Sequence, residues 1–292
     1  MLALAKTRQS PKRLANVFVA ESVKATSDIV DLADCDAILV VTPAQATRAV
    51  TVELAEILFR ETPLVSCAKG IEQGSGLFMT QVFAEAASRH PAAILSGPGF
   101  AADVAAGLPT AVTLAAEDEA LAPALAGALQ SASFRLYHSS DVIGVEIGGA
   151  AKNVLAIASG VAVGLGLGPS AGAALIARGF AEMSRLGAAL GAKPQTLAGL
   201  SGLGDLVLTC TSPQSRNFAF GLALGRGGAV SQGLASGKLV EGAYTARALI
   251  EIAKAHEVDT PIATSVDAVL SGVIAPSEAV RALLARPPKA ET

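Results

Sequence analysis

The sequence predicts an α/β sheet followed by an all-α helical domain, and three observations carry the prediction. Short apolar runs alternate with helix-period segments between Ala37 and His138, the pattern of strands joined by helical crossovers into a mainly parallel sheet. Beyond about Val142 the strand signal fades and helical patterns follow one another. Hydrophobic residues make up 51% of the 292 and charged residues only 16%, enough apolar mass for a sizeable core. The expected units are residues 1–148 and 149–292, meeting between Asp141 and Gly149.

Each element has its own local reason. Residues 37–41 (Ala-Ile-Leu-Val-Val) form a continuous apolar run closed by Thr42-Pro43, which reads as a buried strand. Residues 45–58 place Val50, Leu54 and Ile57-Leu58 on one helical side. Further strands are expected at 64–68, ending at Lys69-Gly70, at 92–95, ending at Ser96-Gly97-Pro98-Gly99, and at 111–115 and 134–138. Helices are expected at 78–88, 100–106 and 117–129 between them. The helical part reads as 145–163, 171–190, a turn through Gly202-Leu203-Gly204, then 206–211, 217–224, 245–256, 262–271 and 276–285. Ligands of open α/β sheets bind beyond the carboxyl ends of the strands, so the loops after Val41, Ala68 and Leu95 should gather on one edge.

Composition narrows the partners. The net charge is −3, the 22 basic residues are scattered and aromatics are 4%, which argues for a small molecule over nucleic acid. Cys35, Cys67 and Cys210 lie far apart without metal-ligand spacing, as buried thiols of a reducing compartment would. His90, His138 and His256 fit no triad. The amino terminus lacks the apolar core of a secretory signal. Residues 153–177 carry no charge and are long enough to cross a bilayer, but Gly168-Pro169 breaks them. They are expected as two helices buried in a cytoplasmic protein.

A dinucleotide-binding sheet opens with a strand, a G-x-G-x-x-G turn and a helix, so that backbone amides reach the pyrophosphate. No such run occurs in the 292 residues. In Gly164-Leu165-Gly166-Leu167-Gly168 a proline follows where the last glycine belongs, and Gly202-Leu203-Gly204 is followed by Asp205-Leu206-Val207. Residues 1–14 read as a loop approaching the first strand.

Several segments could carry chemistry. Lys69 at a strand end could place an ammonium near an anion, or be a surface lysine beside a turn. Ser96-Gly97-Pro98-Gly99-Phe100-Ala101 turns into a helix whose amides could hold a phosphate, or is ordinary loop punctuation. Lys152 and Asn153 lie in an apolar, small-residue helix at the unit junction. Burying that lysine would bring its pKa toward acid–base values, and snorkelling is the bland alternative. Asp205 reads as an N-cap. Ser215-Arg216-Asn217 offers a hydroxyl, a guanidinium and an amide suited to a phosphate dianion, or a capping turn. Glu241 reads as a loop carboxylate.

Taken together, residues 65–72, 96–101, 145–153, 199–217 and 240–246 resemble the motif series of bacterial-type NAD(P)-dependent glycerol-3-phosphate dehydrogenases, in order and spacing, over residues 8–289. That resemblance implies interconversion of dihydroxyacetone phosphate and sn-glycerol 3-phosphate with NADPH or NADH, for phospholipid backbones. It implies a homodimer, a Rossmann-like sheet and a helical substrate and dimerisation domain. Lys152 would be general acid in reduction and base in oxidation, with Asp205 and Thr209 ordering the site. Lys69, Gly97, Gly99, Ser215, Arg216 and Asn217 would contact substrate, the last three gripping its phosphate. Lys69, Ala101, Arg216, Leu239 and Glu241 would lie near the nicotinamide. Gly99 stands where the family has serine, which leaves an amide but no hydroxyl. The leading β-α-β segment with its glycine turn is missing, about 30–40 residues by the size of such a unit, so the sheet is expected to be amino-terminally truncated and cofactor binding impaired. Two alternatives remain at this point: a 3-hydroxyacid or 6-phosphogluconate type of dehydrogenase, and a non-catalytic binding or oligomerisation remnant.

Overall fold

A computed structural model describes residues 2–10, 14–235, 237 and 239–287. The first segment is more ordered than the loop expected there: a short helix α1 (Leu2–Thr7) leads into an antiparallel pair, β1 (Gln9–Ser10) and β2 (Leu14–Phe18). The main sheet then follows in order: β3 (Ile38–Val40), α2 (Thr47–Ile57), β4 (Leu64–Ser66), α3 (Met79–Ala86), β5 (Ala92–Ser96), α4 (Ala101–Ala105), β6 (Thr110–Ala116), α5 (Leu121–Leu129) and β7 (Phe134–Ser139). The strands lie side by side in sequence order, β3 to β7.

Three of the four pairings are parallel, but β5 and β6 run antiparallel. The reason is the connection. α4 has five residues, a length of about 8 Å at the helical rise, too little to carry the chain back along the sheet. The chain therefore returns beside β5 in the opposite sense. The carboxyl ends of β3, β4 and β5 still share one edge, which is where the first three loops were expected.

The helical half is built on α6 (Val142–Gly164), which starts earlier than the sequence pattern indicated because Asp141 caps it, accepting from Gly144 N at 3.0 Å. α6 lies along the sheet: Val142 and Val145 pack with Ile94 and Ala115, and a turn later Gly149 faces Ser96 at the strand end. It is long and apolar enough to cross a bilayer, yet 89% of its apolar window is buried inside the protein. Around it pack α7 (Gly168–Ala189), α8 (Pro194–Leu197), a widened π-type turn (Leu200–Gly204), α9 (Asp205–Thr211), α10 (Arg216–Gly225), α11 (Val230–Ala235), α12 (Glu241–Ala255), α13 (Pro261–Leu270) and α14 (Pro276–Leu284). The uncharged stretch does divide into two helices, but the break lies at residues 165–167 and Gly168-Pro169 open the second. Its second helix is not buried there, however: Pro169, Ser170, Ala173 and Ala174 are exposed. Cys35 and Cys67 are half-buried, and Cys210 is fully buried.

Candidate active site

The carboxyl edge of β3–β5 meets α6, α9, α10 and α12, and Lys69, Lys152 and Asp205 converge there. Lys152, on α6, is buried and donates from Nζ to Asp205 Oδ1 at 2.6 Å and to Thr209 Oγ1 at 3.0 Å. Asp205 opens α9 but does not cap it. Its second oxygen accepts from Lys69 Nζ at 2.7 Å, so one buried carboxylate holds two ammonium groups. Burial brings the Lys152 pKa down to about 8, and the positive charge of Lys69 adds to that fall against the pull of Asp205. Burial alone would raise Asp205, but Lys69 and Lys152 outweigh it and hold the carboxyl below its ordinary range. The same burial pushes the neighbouring Cys210 thiol up to about 11, so it is no thiolate nucleophile.

Lys69 follows β4 and remains partly open to solvent. Its ammonium also donates to Gly97 O at 2.8 Å. Gly97 sits at φ 148° with Val112 against it, and a Cβ there would lie 2.8 Å from the Val112 Cα, so only glycine lets the 96–99 loop come this close. The backbone of Lys69 is held as well: its carbonyl accepts from Asn153 Nδ2 at 2.7 Å. Asn153 in turn accepts from Asn217 Nδ2 at 2.8 Å, and Asn217 Oδ1 accepts from Gly242 N at 3.0 Å. A chain of amides thus joins the β4 loop to α6, α10 and α12.

The remaining sequence-picked residues divide. Ser215 is buried and caps α10, its hydroxyl accepting from Phe218 N at 3.2 Å. Arg216 is exposed at the first position of α10, with its charge felt at Glu241. Asn217 is buried, with its amide engaged as described. Ala101 is exposed at the start of α4, Gly99 is half-buried before it, and Leu239 is half-buried before α12. Glu241 is not a loop carboxylate: it opens α12, is buried, and accepts from Ala44 N at 3.1 Å, bridging α12 to the loop after β3. Burial pushes its carboxyl up, against the pull of the Ala44 amide.

Thr245, on the next turn of α12, went unnoticed in the sequence because a threonine in an amphipathic helix carries no local signal. Its Oγ1 and Glu241 Oε2 are buried without a hydrogen-bond partner, both beside Gly70. Unpaired buried polar groups are what a polar ligand satisfies, and an amide such as the nicotinamide carboxamide matches this oxygen pair in chemistry. The 292 residues contain no G-x-G-x-x-G run, the turn that receives a pyrophosphate.

An α/β sheet whose strand ends face a lysine–carboxylate centre on helices defines a two-domain dehydrogenase. The comparisons name the family. Residues 1–122 match the family model described as the N-terminus of NAD-dependent glycerol-3-phosphate dehydrogenase, and residues 141–281 match its C-terminus. A glycerol-3-phosphate dehydrogenase [NAD(P)+] of Azorhizobium caulinodans is 59% identical over 288 residues, covering 99% of this chain and 87% of that protein. The crystal structure of glycerol-3-phosphate dehydrogenase from Coxiella burnetii superposes with a TM-score of 0.92 at 39% identity, covering 97% of this chain and 87% of that one. The yeast glycerol-3-phosphate dehydrogenase structure shares the fold, with a TM-score of 0.81 at 23% identity. This chain belongs to the NAD(P)-dependent glycerol-3-phosphate dehydrogenase family.

Proposed function

We propose that this chain interconverts dihydroxyacetone phosphate and sn-glycerol 3-phosphate with NADPH or NADH, in the cytoplasm, as a homodimer supplying phospholipid backbones. Residues 1–148 form the dinucleotide-binding unit in this reading, and 149–292 the substrate unit. The observation that carries it is the Lys152–Asp205–Lys69 cluster, two ammonium groups on one buried carboxylate at the strand-end edge. The exposed apolar start of α7 favours a self-association surface over a free one.

When bound, the nicotinamide would supply the hydride that the ketone carbon receives in reduction. Lys152 polarises the ketone oxygen and gives it a proton from Nζ, which its lowered pKa makes easier to release. Asp205 and Thr209 hold the ammonium in line and stabilise its charged form between turnovers. Lys69 sits on the solvent side of the same carboxylate and offers a second cation to the substrate's oxygens. Arg216 is exposed at the start of α10 and would meet the phosphate, with buried Ser215 and Asn217 beside it and the Gly97 and Gly99 backbone offering amides. In oxidation the neutral Lys152 amine takes the hydroxyl proton.

Arg216→Ala tests the phosphate assignment. It is expected to raise the KM for dihydroxyacetone phosphate by an amount equivalent to about 2 kcal/mol or more, the cost of losing a charge-assisted pair. Steady-state kinetics with the phosphorylated substrate show this directly, and unchanged kinetics would remove Arg216 from the site.

A further inference from the structure

One buried carboxylate beside this centre has no part in the mechanism above. Glu146 lies on α6, six residues before Lys152, and is 4% exposed. Among the described residues it pairs with no cation. Instead Oε1 accepts from Thr80 N at 2.9 Å and Oε2 from Thr80 Oγ1 at 3.1 Å. Thr80 is the second residue of α3, so the side chain sits at the amino end of that helix; burial raises its pKa to about 7 against the pull of the Thr80 hydrogen bonds.

The position of this anchor matters more than its strength. Glu146, Gly149 and Asn153 are spaced i, i+3, i+7, one face of α6. All three face the same segment of chain. Asn153 holds the carbonyl of Lys69, and Gly149 packs where a Cβ would lie 3.4 Å from the Lys69 Cβ. Glu146 holds Thr80, eleven residues further on. Between those two points the chain folds back on itself: Ile71 bridges Phe78, Glu72 N donates to Leu77 O at 2.9 Å, and Gly76 N donates to Glu72 O at 3.0 Å. The loop that presents Lys69 is therefore clamped to α6 at both ends.

We infer that Glu146 is a positioning residue: by fixing α3 to α6 it holds the Lys69 loop in register, so that Lys69 meets Asp205 from the side opposite Lys152. This rests on the functional reading above, in which Lys69 and Lys152 serve the same substrate. The alternative is that Glu146 only stabilises the fold. The molecule contains its own control for that. Glu182, on α7, is also 4% exposed and accepts from Ile262 N at 2.7 Å and Ala263 N at 3.3 Å at the start of α13, away from Lys69.

The test compares Glu146→Ala, Glu146→Gln and Glu182→Ala, each held equally far below its own Tm. Amide hydrogen exchange is read over residues 69–78, and affinity for sn-glycerol 3-phosphate by calorimetry. Glu146→Ala is expected to speed exchange across 69–78 and weaken the ligand by about tenfold or more, as a misplaced site group does. Glu146→Gln, which keeps an acceptor for Thr80 N, should recover most of both. Glu182→Ala should lower Tm yet leave both readings at the wild-type value. If Glu146→Ala does not fold, Glu146→Asp, one methylene short of Thr80, should give the faster exchange. Equal effects of the Glu146 and Glu182 variants, or unchanged exchange over 69–78, would overturn the inference. Wild-type protein that binds no sn-glycerol 3-phosphate would instead count against the functional reading, and exchange alone would then decide the role of Glu146.

Discussion

In the proposed mechanism Lys152 sets the pH behaviour of the site. Reduction needs its ammonium and oxidation its free amine, and burial with Lys69 nearby places the change between them at about 8. The kcat/KM for dihydroxyacetone phosphate reduction is therefore expected to fall as pH rises through about 8, and that for sn-glycerol 3-phosphate oxidation to rise over the same interval. Paired pH–rate profiles check the opposite signs, and parallel profiles would remove Lys152 as the proton carrier. This lysine was legible in the sequence because a charge inside an apolar helix has few explanations. Asp205 was not legible on its own. An aspartate at a helix start usually caps it, and the partners that change its role, Lys69 and Lys152, are 136 and 53 residues distant. Only the family resemblance marked it. The same distance hid the engagement of Asn217 with Asn153 and Gly242, which makes it part of the frame behind any phosphate contact.

At the scale of elements, α6 and α10 are the closest-packed pair, and glycine makes them so. Gly221 of α10 lies where a Cβ would be 2.0 Å from the Ile157 carbonyl oxygen of α6, and Gly160 lies where one would be 2.1 Å from Phe218 O. Backbone meets backbone, with nothing flexible to yield. Gly221→Ala is expected to cost about 1–3 kcal/mol, the usual range for overpacking, and to shift Arg216 and Asn217 with α10. Thermal unfolding measures the loss, and a wild-type Tm would show that the helices can part freely. Long periodic helices and apolar strands were read correctly from sequence, because burial writes a period into them. The four-residue α8, the α11 turn and the amino-terminal pair are too short to carry a period. The antiparallel return at β6 also escaped notice, since a strand's direction depends on the length of its connection and not on its own residues.

For the whole molecule, the issue is how the two halves share the work. The helical half surrounds α6 with a core that also takes in Ile71 and Phe78 of the Lys69 loop, and it supplies Lys152, Asp205 and Thr209. The sheet half supplies Lys69 and the strand-end loops. Its β3 is an edge strand among the described residues, with Leu39 and Val41 exposed. Nothing in the sequence offers the amide cradle in which a glycine turn would hold a pyrophosphate. The 292-residue chain is accordingly expected to bind NADPH weakly in calorimetric titration, and micromolar binding would show that other residues replace the turn. Weak binding would slow the reaction and leave the proposed lysine–carboxylate centre in place. The most direct test is therefore to incubate this chain with dihydroxyacetone phosphate and excess NADPH and to quantify sn-glycerol 3-phosphate, beside a Lys152→Met variant. Slow formation of sn-glycerol 3-phosphate that rises with NADPH and is lost in the variant is the expected result. No product at any NADPH concentration, or product undiminished without Lys152, would contradict the assignment.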